Sequence, residues 1–471
     1  MPTTFFSLPS LTEWFALLAA GKCPKIAPFI RRPLKILSGP NSTAAISIVV
    51  GGLIFLPVSA FSQNADVDPT STSSGTESQP VSDEISRPSQ DVQVETKPNP
   101  VNENFRRFRY SFGVNVRQVY DDNINISSSN RISDWYTVLS PEIHLGFGDS
   151  AGGFNYLTFD YILSAYFFAN HTERNGVEQF IHLAGQHDFG YLVLGLSQDV
   201  DIRDGTNLNS LSDQTGVQAN TDVGAASESI TFTTNLNWSY DLTGKLFLSG
   251  QSSLIFTDYQ TETLISSREF SGNVYLNYVY SPKLFIGLGA AGGATSTQGR
   301  SGNETFEQMN ARANYIASGK VSLSASGGVE FRQLAGGGDS VSPVYDISGS
   351  YHPFENTIIT IAGSGRTQSS ASLVGQDYTE NSISLTLSQR LFSRATAGLA
   401  AGYTHSNYLS ASTGDSTART DNYIFIEPTF DINITRYWSA GIYYLYRTDM
   451  STLAFFSFHD NQFGIRSSLI F

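Results

Sequence analysis

Arg107, Arg109, Arg117, Asp160, Asp199, Asp201, Arg312, Glu330, Arg332, Arg366, Arg390, Glu427, Asp431 and Arg466 all stand on the polar parity of alternating apolar and polar segments. If those segments are strands, the side chains point to one common side, where water and partner charges remove the penalty of facing lipid. The chemistry this allows is that of a charged lining, in which rows of arginine or carboxylate sort ions by sign. Where the last segment meets the first, Arg466 is expected near Arg107, Arg109 and Arg117, a basic ladder suited to anions or acidic sugars. The same residues also suit cross-bracing of a wall, with no contact to cargo.

Other chemistry finds little support. His405-Ser406-Asn407 brings an acid-base group and a hydroxyl together, but adjacent strand residues face opposite sides and cannot act as a nucleophile and its base. No phosphate loop, nucleophile elbow or metal-ligand spacing is present, so no catalytic residue, metal or cofactor is assigned. Asp121, Asp122 and Asn123 could offer oxygen ligands to a divalent cation, although a solvated capping turn is the expected reading. A net charge of −14 with sparse lysine argues against a nucleic-acid partner.

The elements that must position these residues follow a period of two. Ile230, Phe232, Leu236, Trp238 and Tyr240 alternate with Thr231, Thr233, Asn235, Asn237 and Ser239, and Val321, Leu323, Ala325, Val329 and Phe331 alternate with Ser322, Ser324, Ser326, Glu330 and Arg332. Such strands are half exposed to each of two solvents. Tight connections at Gly190, Asp241 to Gly244, Ser281-Pro282, Ser318-Gly319, Pro353 to Asn356, Ser393-Arg394 and Thr435-Arg436 alternate with long polar stretches, of which Arg203 to Ala225 is the longest. Short turns on one side and long loops on the other are the layout of an outer-membrane barrel. The fold class is therefore all-β, a transmembrane antiparallel β-barrel of about 18 strands, with about 16 also satisfying the even-number rule. Trp238, Tyr240, Tyr278, Tyr280, Tyr351, Trp438 and Phe471 fall beside the short turns, where an interfacial aromatic girdle is expected.

The two ends of the chain agree with that compartment. Residues 1–62 read as a secretory signal with a long leading segment, because a basic region carrying Lys22, Lys25, Arg31, Arg32 and Lys35 precedes an apolar run and small residues near Ala60. Residues 63–104 are polar and proline-bearing and are expected to form a disordered periplasmic tail. The barrel is assigned to 105–471. The only cysteine, Cys23, lies inside the signal, so the mature chain is expected to hold no disulfide. At the C-terminus Leu469 and Phe471 end an alternating strand and resemble the signal read by the outer-membrane assembly machinery, although Gly464 stands further from the end than usual.

Tyr120-Asp121-Asp122-Asn123-Ile124, Ser127 to Asn130, Ser133-Asp134-Trp135, Leu139-Ser140-Pro141 and Gly146-Phe147-Gly148-Asp149 resemble the opening of the outer-membrane β-barrel porin family of Gram-negative bacteria. Some members of that family are encoded beside exopolysaccharide synthesis and export genes. The resemblance implies a channel in the cell outer membrane passing polysaccharide or small polar solutes, with outer-membrane lipid and the assembly machinery as partners. A non-conducting barrel acting through its external loops remains the alternative. In an open barrel, Arg203 to Ala225 is the best candidate for a loop that narrows the lumen.

Overall fold

Strand after strand pairs with its chain neighbour until the last meets the first. The computed structural model describes residues 108–148, 155–205, 221–224, 227–298, 303–334, 338–392, 394–409 and 418–471. The expected signal, the expected tail and Arg107 lie outside the described residues. Strands β1 (Phe108–Asp121), β2 (Asp134–Gly148) and β3 (Tyr156–Phe168) precede a 3-10 turn at Thr172–Arg174, followed by β4 (Gly176–Asp188), β5 (Leu192–Asp204) and β6 (Glu228–Asp241). Then come β7 (Leu246–Tyr259), β8 (Ser267–Ser281), β9 (Leu284–Thr297), β10 (Asn303–Ser318), β11 (Val321–Gln333) and β12 (Asp339–Tyr351). The series ends with β13 (Thr357–Ser369), β14 (Asp377–Leu391), β15 (Ala395–Tyr408), β16 (Thr420–Asn433), β17 (Trp438–Ser451) and β18 (Phe458–Ile470).

All neighbours are antiparallel, and β1 pairs with β18 from Gly113↔Ile470 to Asp121↔Gln462, which closes an 18-stranded barrel. Closure removes the free edges that so many strands would otherwise expose. The terminal residue takes part in it: Phe471 N donates to Phe112 O at 2.8 Å and Phe112 N donates to Phe471 O at 3.0 Å. The short connections fall where turn chemistry places them, and the long ones gather at the opposite end.

The period-two sequence pattern becomes two surfaces. Val114, Val116, Leu139, Phe167, Leu196, Phe232, Leu254, Leu276, Leu288, Leu323, Phe331, Ile383, Ile424, Ile442 and Ile465 are large apolar side chains on the outer face, exposed in the isolated chain. A closed barrel with this exterior is built to meet hydrocarbon, since its backbone polar groups are satisfied mainly between neighbouring strands. The inner face is polar or small, and some glycines there make room for rings: a Cβ at Gly464 would strike the Tyr443 ring, and one at Gly289 the Tyr275 ring.

Prolines mark where the ladders weaken. Pro141 lies in a gap between Leu139↔Ala165 and Glu142↔Ile162, and Pro428 in a gap between Ile426↔Tyr446 and Thr429↔Tyr443, after each of which the register resumes unchanged. At Pro343 the ladder does not resume. β12 and β13 pair from Tyr351↔Ile359 only as far as Tyr345↔Gly365. Proline cannot donate to a ladder, so its place at an interrupted edge is expected. Beyond Gly365 the β13–β14 hairpin leans onto the inner wall. Thr367 Oγ1 is 2.9 Å from Ser342 Oγ, Arg332 donates to Thr367 O at 3.0 Å, and the Ser369 hydroxyl bonds Glu304 of β10.

Candidate pore lining and external mouth

Register assigns the inner parity strand by strand. Arg109 and Arg117 take it on β1, Asp160 on β3, Asp199 and Asp201 on β5, Arg312 on β10, and Glu330 and Arg332 on β11. Arg366 takes it on β13, Arg390 on β14, Glu427 and Asp431 on β16, and Arg466 on β18. Arg117 stands directly opposite Arg466 across the closing seam. The structure brings these two together at the seam, but Arg466 is claimed by Asp431 through a two-pronged contact, Nε at 2.7 Å and Nη2 at 2.5 Å.

Pairing of this kind is general along the wall. Arg312 donates to Asn277 Oδ1 at 2.9 Å and Ser249 Oγ at 2.6 Å while lying 4.1 Å from the centre of the Tyr275 ring. Arg332 donates to Glu330 at 2.9 Å and stands 3.9 Å from Glu304. Arg366 meets Glu380 at 2.9 Å, and Asp201 meets Arg203 at 2.7 Å. Where the partner is a carboxylate, as for Arg332, Arg366 and Arg203, the pair offsets part of the desolvation of two charges held against a barrel wall.

One row differs. His144, Asp160, His182 and Asp199 occupy matching positions on β2, β3, β4 and β5, so imidazole and carboxylate alternate around the wall. His144 Nδ1 lies 2.7 Å from Asp160 Oδ1, and His182 Nδ1 lies 2.5 Å from Asp199 Oδ1. These side chains are 40%, 29%, 28% and 27% exposed in chain order, so the row faces open space inside the barrel. Sequence alone placed the two aspartates on the inner parity; the histidines needed the four-strand register.

At the end bearing the long connections, the side chains converge. Asp222, from the β5–β6 connection, accepts bonds from Ser370 Oγ (2.7 Å), Ala371 N (2.6 Å), Ser372 Oγ (2.9 Å) and Tyr408 Oη (2.9 Å). Arg419 donates to Thr221 O at 2.7 Å and Asp222 O at 3.1 Å, and pairs with Asp421 at 2.7 Å. Its guanidinium lies against the rings of Tyr408 and Phe456, 4.4 Å and 3.4 Å from their centres. The β7–β8 connection joins through Ile265 N, which donates to Ala371 O at 2.9 Å.

This cluster must stand over the lumen. From Glu228, where β6 begins, the chain reaches back to Asp222 by ~20 Å at most. A closed sheet of this strand number is roughly 35 Å across, given its strand spacing and tilt. Asp222 meets Ser370, Ala371 and Ser372 where the β13–β14 hairpin leans inward to it.

The β1–β2 connection also turns inward. Asn123 N donates to Asp121 Oδ1 at 2.7 Å, so the expected capping turn is present, but it is not solvated: Asp121 and Asn123 are buried. The reason is the closing seam, where Asn123 Nδ2 donates to His459 O at 2.7 Å and Asp122 accepts from Asn461 N and Nδ2. Ile126 packs on Tyr423, Phe425 and Phe458, and Ile124 on Val119, Tyr136 and Leu445. Asp121, Asp122 and Asp460 do approach one another closely enough to share a cation. Their oxygens already receive Asn123 N, Asn461, Gln462 and the Arg447 guanidinium, which supplies the positive charge instead.

Asp222, Ser370, Ser372, Tyr408 and Arg419 were not singled out in the sequence as interior residues. Among them Arg419 carried a weak signal, two residues before Asp421 at the start of an alternating segment. Ser406 and His405 do face opposite ways: Ser406 is buried inside, and His405 bonds Asn422 at 3.0 Å.

No family model and no curated protein matches the chain. Among solved structures it is similar to OpdK of Pseudomonas aeruginosa with vanillate, at a TM-score of 0.42 and 11% identity over 77% of this chain and 99% of that one. OccK3 (OpdO) of Pseudomonas aeruginosa gives 0.40 and 11% over 77% and 95%. The siderophore receptor PirA of the same organism gives 0.39 and 9% over 77% and 80%.

Proposed function

We propose that the chain is a porin-like channel of the Gram-negative outer membrane for small polar solutes, with an external mouth narrowed by the Asp222 cluster. One observation carries this reading: an 18-stranded closed barrel turns polar and charged side chains inward, and side chains cannot fill a barrel of that width. Arg109, Arg117, Asp160, Asp199, Asp201, Arg312, Glu330, Arg332, Arg366, Arg390, Glu427, Asp431 and Arg466 are its lining. Arg332, Arg366 and Arg466 are held by carboxylates, whereas Asp160 and Asp199 stay half-open to the interior beside their histidines, so these two aspartates act on the sign of the passage. Passage of glycans is the narrower reading; the resemblance of Tyr120 to Asp149 to porins encoded beside polysaccharide genes supports it.

The contrasting reading, a barrel that only displays its loops, draws support from the packing of four connections over the mouth. Planar bilayers separate the two. Purified barrel is expected to conduct in steps, and Asp222→Ala to raise the step size by loosening the mouth. A barrel that inserts and never conducts, with or without that substitution, removes the channel reading.

A further inference from the structure

The Asp222 carboxylate has the surroundings of a bound ligand rather than of a loop residue. Its Oδ1 receives Ser370 Oγ, Ser372 Oγ and Tyr408 Oη, its Oδ2 receives Ala371 N, and Arg419 Nη1 stands 3.9 Å from Oδ1. None of these donors comes from the segment that supplies the carboxylate. They belong to the β13–β14 hairpin tip, to the end of β15 and to the residue preceding β16.

The receiving half is also held together without Asp222. Ser370 Oγ accepts Ser372 N at 3.2 Å and Leu373 N at 2.9 Å, which fixes the hairpin tip as a turn. Tyr408 stacks on Tyr378 with ring centres 4.9 Å apart and planes 25° apart. Arg419 is clamped by Asp421 and by the Tyr408 and Phe456 rings. Donors fixed before binding lose little freedom when an anion arrives, and this preorganisation is what distinguishes a site from an accidental contact.

The geometry points to a carboxylate-recognition site over the lumen, which the resting barrel fills with its own Asp222 and which a carboxylate-bearing solute occupies in its place. The inference deepens the channel reading and rests on it. Three of the four donors are hydroxyls and one is an amide, all uncharged, while the nearest cation is shared with Asp421. None of these donors carries a positive charge or forms a two-pronged fork, so the cradle releases its occupant more readily than an arginine fork would. An exchange at this point couples the arrival of the solute to the loosening of the narrowed mouth.

Acetate is the probe. Equilibrium dialysis of folded barrel in detergent with radiolabelled acetate is expected to show one saturable site per chain in Asp222→Ala, and at least tenfold weaker binding in the unsubstituted barrel, where Asp222 competes. Adding Ser370→Ala and Ser372→Ala to Asp222→Ala is expected to abolish the site. Folding is verified by heat-modifiable mobility, and Asp222→Asn, which keeps the side-chain volume, serves in the same assay if the alanine barrel does not fold. Acetate binding no tighter in either substituted barrel than in the original overturns the cradle. Bilayer recordings on the same samples keep the two readings apart: a barrel that binds acetate without conducting removes the channel, and one that conducts without binding removes only the cradle.

Discussion

The mouth and the histidine–aspartate row use the same kinds of residue to opposite ends. At the mouth the Arg419 and Asp421 side chains are 0% and 1% exposed, and Asp222 and Arg419 are each held by several partners from distant connections. On β2 to β5 each imidazole has a carboxylate, but the pairs stay open to the interior. Where loops fold over the barrel, charge is consumed in holding them; where the wall is bare, charge remains available to whatever passes. Burial, rather than the count of arginines and carboxylates, decides which residues can act on a solute.

The largest effect that could break this contrast is on stability. Arg419→Met leaves Asp421 buried without its cation and frees the Thr221 and Asp222 carbonyls, and removing one partner of such a pair costs about 3 to 5 kcal/mol. His182→Asn breaks a half-open pair, for which about 1 kcal/mol or less is expected. Urea titration of the folded barrels, followed by heat-modifiable mobility, compares the two directly. Equal losses would mean that the row is as closed as the mouth.

A second test concerns the parity on which both regions depend. Leu323 is exposed on the outer face and its neighbour Ser324 is on the inner one. Arginine at position 323 is expected to destabilise the barrel in lipid by ~2 to 4 kcal/mol, whereas Ser324→Arg is tolerated because its charge reaches water. Equal sensitivity at the two positions would place the row on the wrong side of the wall.

Much of the barrel could be read from the chain because its cues are local. A turn signal and a period of two specify where each strand stops and which face it shows, so about eighteen strands and the alternation of short and long connections follow from the sequence alone. The inner parity of Asp160, Asp199 and Arg466 came from the same rule. The mouth did not, because its bonds join residues far apart in sequence: Asp222 to Ser370, Tyr408 and Arg419. No periodicity encodes such pairings, and Arg203 to Ala225 looked like any long polar connection. The inward lean of the β13–β14 hairpin has one cue in the sequence, Pro343 inside an alternating strand, which marks the point where pairing with β13 stops. The histidines escaped for a different reason. Each is unremarkable alone, and only four registers taken together set them in one row.

The smallest expected effect is the most selective one. In a wet lumen a single carboxylate attracts a monovalent cation by ~1 kcal/mol at about 4 Å. Asp160→Asn with Asp199→Asn removes two such charges from the open row without touching the mouth, so the preference for cations, read as a reversal potential in a salt gradient, is expected to fall severalfold while step conductance changes little. Asp222→Ala is expected to do the reverse, raising conductance with a small change in reversal potential, because its carboxylate is buried among four hydrogen-bond donors. Salt sharpens the distinction, since screening at high ionic strength weakens the row's influence while leaving the width of the mouth as it was. If both substitutions move the same observable, mouth and row form one constriction, and the division of labour between buried and exposed charge fails.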